Sequence, residues 1–337
     1  MNSPLVTILL PVYNSVETLQ ETLDSLWAQT LTDFELLVVD DGSEDGTSTL
    51  LAACTDPRLR VLRNPERLRL AGALNRGMKE ATAPLIARMD ADDLALPERL
   101  EVQKAWMDAH TDCAMVGGWT RHFGDRRKSC EKYPVEPDAV RAFSMFNCPF
   151  AHPTVMFRRE LFLEEGLMYD GSFYPTEDFE LWSRVVHRFP CWNIPDVLLN
   201  YRVHAASMTG SDWTNMDTQA CRLIRAQFAH LGVEISEAES RLHRDIGMAR
   251  VSLDGLGEAV VWLEDLERRN EAIRFCDPSC WRSELQDRLY HMCMNATSGG
   301  KEVLQAFRMS RLWGKASPPR SQLAMLRGSI LYRSRRL

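Results

Sequence analysis

The chain lacks several features that would assign it quickly. No Walker A lysine loop occurs, and no GxGxxG follows the first apolar segment, so the nucleoside-triphosphatase and dinucleotide fingerprints are absent. Its nine cysteines are an odd number with no CxxC pair, which argues for a reducing compartment and against a disulfide framework or zinc knuckle. No apolar run approaches the length needed to span a bilayer. Leu5–Leu10 is too short for that, has no basic residue before it and no small-residue cleavage site after it, and reads as a strand rather than a signal segment. Internal repeats and low-complexity tracts are missing as well. The net charge of −7 gives no support to nucleic-acid binding. With 45% hydrophobic and 26% charged residues in 337, the composition is that of an ordinary globular protein with room for a large core, and the cysteines and the missing signal segment make a cytoplasmic location the expectation.

What is present begins with Asp90-Ala91-Asp92-Asp93, three carboxylates in four positions after the apolar run Pro84–Ala87. A short apolar run ending in acids reads as a buried strand that delivers carboxylates to its C-terminal edge, where open α/β sheets bind ligands. Acids this close repel, and a divalent cation such as Mn2+ or Mg2+ relieves the repulsion. The alternative is a solvated acidic turn.

Around this cluster the first half alternates strand and helix signals. Strands fall at Val6–Val12, Phe34–Val39, Leu59–Leu62 and Pro84–Met89, with helices after each, including Leu70–Ala81 and Pro97–His110. That spacing predicts an α/β fold with a doubly wound, mostly parallel sheet flanked by helices. Further on, Ala114–Trp119, His152–Phe157 and Val197–Val203 read as strands, and Pro137–Phe146 and Glu177–Phe189 as helices. From about Asp217 the pattern is helical only, so a catalytic region over residues 1–210 and a mainly helical C-terminal region over 211–337 are expected. The segment Gly300–Leu337 carries nine Lys and Arg against one acid, Glu302. Interleaved with apolar residues, it suits either peripheral contact with an anionic membrane or folding against the acidic body.

Two earlier strand ends share the rim with the acid cluster. Pro11, Tyr13 and Asn14 follow the first, and Asp40 and Asp41 the second. An aromatic ring and a carboxylate are what a nucleobase needs, a stacking surface and an acceptor for a ring N–H.

These residues also carry a resemblance. Val6–Asn14, Leu23–Thr30 and Phe34–Ser43, followed in order by Asn75-Arg76-Gly77 and Asp90–Asp93, closely resemble the opening of family 2 glycosyltransferases, over roughly residues 4–205. The resemblance implies a GT-A fold and inverting transfer of a sugar from a nucleotide-sugar, commonly a UDP-sugar, to a glycan or lipid-linked acceptor. It splits the catalytic region into a nucleotide-sugar half, about 1–95, and an acceptor half, about 96–210. By the same resemblance Pro11, Tyr13 and Asp41 hold the base beside Asn14, Arg69 faces the diphosphate, and Asp92 sits by the ribose. Asp93 ligates the metal, with Asp90 nearby. Thr176–Arg184 resembles the family's Glu-Asp motif, making Asp178 the general base and Glu177 a neighbour on the acceptor side. His152 falls in a segment beside the acceptor pocket, where a structural role is the alternative. His204 closes the catalytic region and is either a metal or diphosphate contact or a surface residue. Two other readings fit a nucleotide-binding acidic rim: a nucleotidyltransferase that forms nucleotide-sugars, and a non-catalytic nucleotide-sugar-binding protein.

Overall fold

The computed structural model describes residues 4–124, 129–204, 213–296, 303 and 310–312. The chain divides into two compact units, Met1–Val140 with Cys148–Met216, and Arg141–Asn147 with Asp217–Leu337.

The first unit is built on one nine-stranded sheet. Its elements run β1 (Val6–Val12), α1 (Val16–Trp27), β2 (Phe34–Asp40), α2 (Thr47–Ala53), β3 (Leu59–Arg63), α3 (Arg69–Glu80), β4 (Leu85–Arg88), β5 (Leu94–Ala95) and α4 (Arg99–Ala109). They continue through β6 (Met115–Gly124), β7 (Cys130–Glu131), α5 (Pro137–Ser144), β8 (Met156–Arg158), α6 (Arg159–Glu164), α7 (Glu177–Val186) and β9 (Cys191–Val203). The spatial order is β3-β2-β1-β4-β8-β6-β9-β5, with β7 paired to β6. The first four are parallel; β8 runs against β4 and β6, β9 runs parallel to β6, and β5 runs against β9.

Strand periodicity explains the layering. On β1, Ile8 and Leu10 face one side with Leu19, Leu23 and Leu26 of α1 and Leu100 and Met107 of α4. Leu9 points to the other side, with Leu74 and Met78 of α3 and Leu181 and Trp182 of α7. Helices therefore cover both faces, as a nearly all-apolar β1 requires.

Two expected strands differ from the structure. His152–Thr154 is a 3-10 turn and the strand starts at Met156. Pro153 has no N–H to give a ladder, and the Thr154 hydroxyl donates back to the Ala151 carbonyl at 2.8 Å. The last strand is longer than its apolar core suggests, beginning at Cys191, because β6 pairs with it along ten positions.

The second unit is helical, with α8 (Trp213–His230) beginning just before it and α9 (Glu237–Gly247), α10 (Leu256–Ile273) and α11 (Pro278–Asn295) following. Its core includes Phe228, Trp262, Trp281 and, from the short Arg141–Asn147 segment, Phe146. His243 is fully buried there, its ring stacked on Phe146 with centroids 4.2 Å apart. Its Nε2 lies 2.9 Å from the Met145 carbonyl and its Nδ1 accepts from the Trp262 indole at 3.1 Å. Burial pushes its pKa down to about 3, so the imidazole is a neutral core residue.

Among the described residues no helix is long and apolar enough to cross a membrane. The basic segment Gly300–Leu337 lies outside the described residues except for Val303 and 310–312.

The approach of α3 to β1 depends on Gly77. A Cβ there would clash with the Cδ1 of the buried Leu9, so the Leu9 side chain would have to shift within the core. Gly77→Ala should destabilise the first unit by about 1–3 kcal/mol in urea unfolding, through overpacking; an unchanged midpoint would show that Leu9 repacks freely.

Candidate active site

Parallel pairing of β1 with β2 and β4 brings three strand ends to one rim, Val12 beside Asp40 and Leu9 beside Arg88. At the end of β2, Asp41 is only 4% exposed. Its Oδ1 accepts from Asn64 Nδ2 at 2.6 Å and from the Leu68 N–H at 2.7 Å, while its own N–H donates to the Val12 carbonyl. The Asn64 side-chain oxygen in turn accepts from Arg76. One carboxylate oxygen thus ties together both ends of the 64–68 loop.

Pro11 is buried within β1, whereas the Tyr13 ring is 38% exposed. The Arg67 guanidinium sits 3.7 Å from that ring's centroid, so a cation covers the surface expected to stack a base. Asn14, at φ +49°, spans the first two strand ends. Its N–H donates to the Ser43 hydroxyl, and its side-chain oxygen accepts from the Glu44 N–H. Asn tolerates this left-handed conformation. Arg69 opens α3 at φ +59°, an uncommon state for a long side chain, and is exposed without a hydrogen bond or ion pair among the described residues.

Asp90, Asp92 and Asp93 each place one oxygen within 4.8 Å of the others. Asp93 is 1% exposed; its Oδ1 accepts from the Arg202 N–H at 2.7 Å and its Oδ2 has no partner among the described residues. Burial and the neighbouring Asp90 and Asp92 hold its pKa well above the usual carboxylate range. Burial also raises Asp90, opposed by the Arg88 guanidinium that pairs with it. His204 Nε2 lies 3.1 Å from Asp92 Oδ2. An orphaned buried oxygen among mutually repelling acids, with an imidazole at the edge, fits a hard divalent cation.

The cluster rests on two buried arginines that sequence reasoning missed. Arg88 meets Asp90, and Arg99 donates to the Arg88 carbonyl at 2.7 Å and to Gln103 at 3.1 Å. Burial, reinforced by the charge of Arg88, lowers the Arg99 pKa to about 9. The signal was available for Arg88: a cation inside the apolar run Ile86–Met89 has to be paired.

At the start of α7, Asp178 is raised by burial; its Oδ1 accepts from the Phe179 N–H at 2.7 Å, and the Cys148 thiol points at Oδ2 from 3.9 Å. Glu177, 3% exposed, has an Oε2 without a partner, and burial together with Asp178 pushes its pKa up to about 7. Glu177 opens onto a pocket of about 250 Å3 whose opposite wall includes Leu68, Arg69 and Asn75. His152 does not line this pocket. It shares a 2.9 Å hydrogen bond with the Tyr169 hydroxyl, and burial keeps it neutral.

The glycosyl transferase family 2 model matches residues 7–166. The chain is 32% identical over 215 residues to the amylovoran biosynthesis glycosyltransferase AmsE of Erwinia amylovora, covering 62% of this chain and 78% of that one. It is 33% identical over 211 residues to the O-antigen biosynthesis glycosyltransferase WbnJ of Escherichia coli, covering 60% of this chain and 81% of that one. The chain belongs to glycosyltransferase family 2. Solved structures share the fold. S. aureus TarS 1-349 in complex with UDP-GlcNAc aligns with a TM-score of 0.58 at 18% identity, over 98% of this chain and 92% of that one. The Pyrobaculum calidifontis mannosyltransferase PcManGT, in complex with GDP-Man and Mn2+, gives 0.51 at 17% identity, over 99% and 83%. In this glycosyltransferase the expected α/β GT-A architecture is present, and the acid cluster, Asp41 and Tyr13 lie at its sheet rim.

Asp41 anchors the 64–68 loop, whose end at Leu68 lines the pocket. Asp41→Ala should cost about 1–3 kcal/mol of stability, because the Asn64 amide and the Leu68 N–H lose their acceptor; denaturant unfolding matching the wild type would contradict this.

Proposed function

We propose that the chain is an inverting, metal-dependent transferase that moves a sugar from a nucleotide-sugar, a UDP-sugar in the first instance, to an acceptor hydroxyl in surface polysaccharide assembly. The observation that carries the reading is one group of buried acids: Asp90 of the rim cluster lies close enough to Asp178 and Glu177 for their charges to interact, and Asp93 Oδ2 and Glu177 Oε2 have no partner among the described residues. The named roles of AmsE and WbnJ in amylovoran and O-antigen biosynthesis support the polysaccharide setting. The UDP-GlcNAc in TarS supports the donor class, and the Mn2+ in PcManGT supports the metal.

In this reading the nucleobase stacks on Tyr13, after Arg67 turns aside, and gives a ring N–H to Asp41. The donor sugar occupies the pocket between Arg69 and Glu177, because its Leu68 edge is bonded to the Asp41 anchor and its Glu177 edge adjoins Asp178. Glu177 thus moves from the acceptor side to the donor sugar. Arg69, exposed and unpaired, supplies positive charge to the diphosphate. Asp93, Asp90 and Asp92, with His204 at the edge, would hold Mn2+ or Mg2+, which neutralises charge on the departing diphosphate. Asp178 takes the proton from the acceptor hydroxyl as its oxygen forms a bond to the sugar C1, and the C1–oxygen bond to the diphosphate breaks on the opposite face. A single base with no enzyme nucleophile inverts the anomeric centre.

Asp178→Asn should lower the transfer rate by about 10²-fold or more while UDP affinity stays within about twofold. Turnover at the wild-type rate would remove Asp178 as base. The base works only deprotonated, and burial raises its pKa, so kcat/KM should fall on the acid side with a midpoint above the ordinary value of about 4. A profile flat down to pH 4 would contradict the assignment.

A further inference from the structure

The pocket has two walls from distant parts of the sequence. One is the first turns of α3, with Ala71, Gly72 and Asn75; the other is the 169–177 segment, with Tyr169, Gly171 and Tyr174. Beside apolar packing of Tyr169 with α3, one side chain bridges them by hydrogen bonds. Asn75 Nδ2 donates to the Tyr169 carbonyl at 2.9 Å, and Asn75 Oδ1 accepts from the Tyr169 N–H at 2.9 Å. Both halves of one carboxamide are spent on the backbone of one residue, as a neighbouring strand would do. The Tyr169 side chain is fixed as well, with its hydroxyl on His152 and its ring edge-on to Trp182 at 5.9 Å. Two residues further on, Gly171 faces Ala71. A Cβ added at Gly171 would stand 3.6 Å from the Ala71 Cβ, ordinary contact for one carbon and too little for a branched side chain.

We infer that Asn75 is a positioning residue that sets the separation of the two walls, and that the pocket width fixed in this way selects donor sugars by the size of their ring substituents. The inference rests on the donor-sugar reading of this pocket. Asn75 itself need not touch the sugar. Its bonds go to the backbone of Tyr169, and loss of them frees the wall to move, so that a pocket of one width becomes a pocket of several. Size selection of this kind is modest, because a misfit of about one carbon in a close-fitting pocket discriminates by about tenfold to a few hundredfold.

The test is calorimetry on the full chain with Mn2+, titrating UDP, UDP-glucose and UDP-N-acetylglucosamine, which differ at one ring substituent. In the wild type the two sugars should bind with unequal affinity. Asn75→Ala should leave UDP within about twofold and bring the ratio of the two sugars toward one by about fivefold or more. Gly171→Val leaves the Asn75 side chain in place and adds bulk to the pocket lining where the two walls already meet at Ala71, so it should weaken the N-acetyl sugar by about tenfold relative to glucose. A third variant, Glu177→Gln, separates the two levels of the argument. If it weakens both sugars but not UDP, while Asn75→Ala and Gly171→Val leave the ratio untouched, the wall inference is overturned and the donor pocket stands. If all three variants leave sugar affinity unchanged, the pocket is not the donor-sugar site and both readings fall. Equal affinity of the wild type for the two sugars also overturns size selection.

Discussion

The structure turns on charge balance at the end of β4. Three carboxylates that would separate in water are held within ligand distance of one another at the rim of the sheet. Burial raises the pKa of Asp90 and, further, of Asp93. What makes this tenable is a pair of arginines taken wholly out of solvent, Arg88 against Asp90 and Arg99 against the Arg88 backbone. Buried ion pairs of this kind are poor sources of stability, because desolvation offsets most of the Coulomb gain. Their value here is positional. They fix the acids in an arrangement that could hold a divalent cation, with Asp93 Oδ2 buried and without a partner among the described residues.

The surrounding loops are arranged by the same device, a polar side chain that satisfies backbone groups far away in sequence. Asp41 closes the 64–68 loop with one oxygen, Asn75 binds the 169 wall to α3, and Asn14 joins the ends of β1 and β2. Loops on a sheet rim have little apolar contact to hold them, so such bonds decide their shape. Among the described residues Arg69 makes no hydrogen bond or ion pair, and Glu177 Oε2 and Asp93 Oδ2 have no partner; these are groups that a charged, hydroxylated ligand would satisfy.

Much of this was legible from the sequence, for physical reasons. The parallel half of the sheet announces itself through apolar runs such as Val6–Val12 and Phe34–Val39, whose burial on both faces leaves a strong signal, and Asp90–Asp93 stands out because acids seldom follow such a run. The antiparallel half was harder to read. β5 and β7 have two residues each, too few for periodicity, and Pro153 turned an expected strand into a 3-10 turn. His152, expected either beside the acceptor pocket or in a structural role, bonds to the Tyr169 hydroxyl. No local pattern assigns a role to Asn64 or Cys148, whose side chains meet Asp41, Arg76 and Asp178 from distant parts of the chain, or to Asn75, whose partner is the Tyr169 backbone. Arg141–Asn147 shows the same limit: its apolar residues look like the end of α5, yet they belong to the core of the helical unit.

The central claim is that the rim acids exist to hold a divalent cation against a nucleotide diphosphate. Crystals grown with UDP and Mn2+, with data collected at the manganese absorption edge, test it directly. The account predicts one anomalous peak bonded to Asp93 and shared with the diphosphate, with the uracil on Tyr13 and Asp41. A nucleotide bound at Tyr13 with no manganese at the acid cluster, or manganese bound elsewhere, would contradict it.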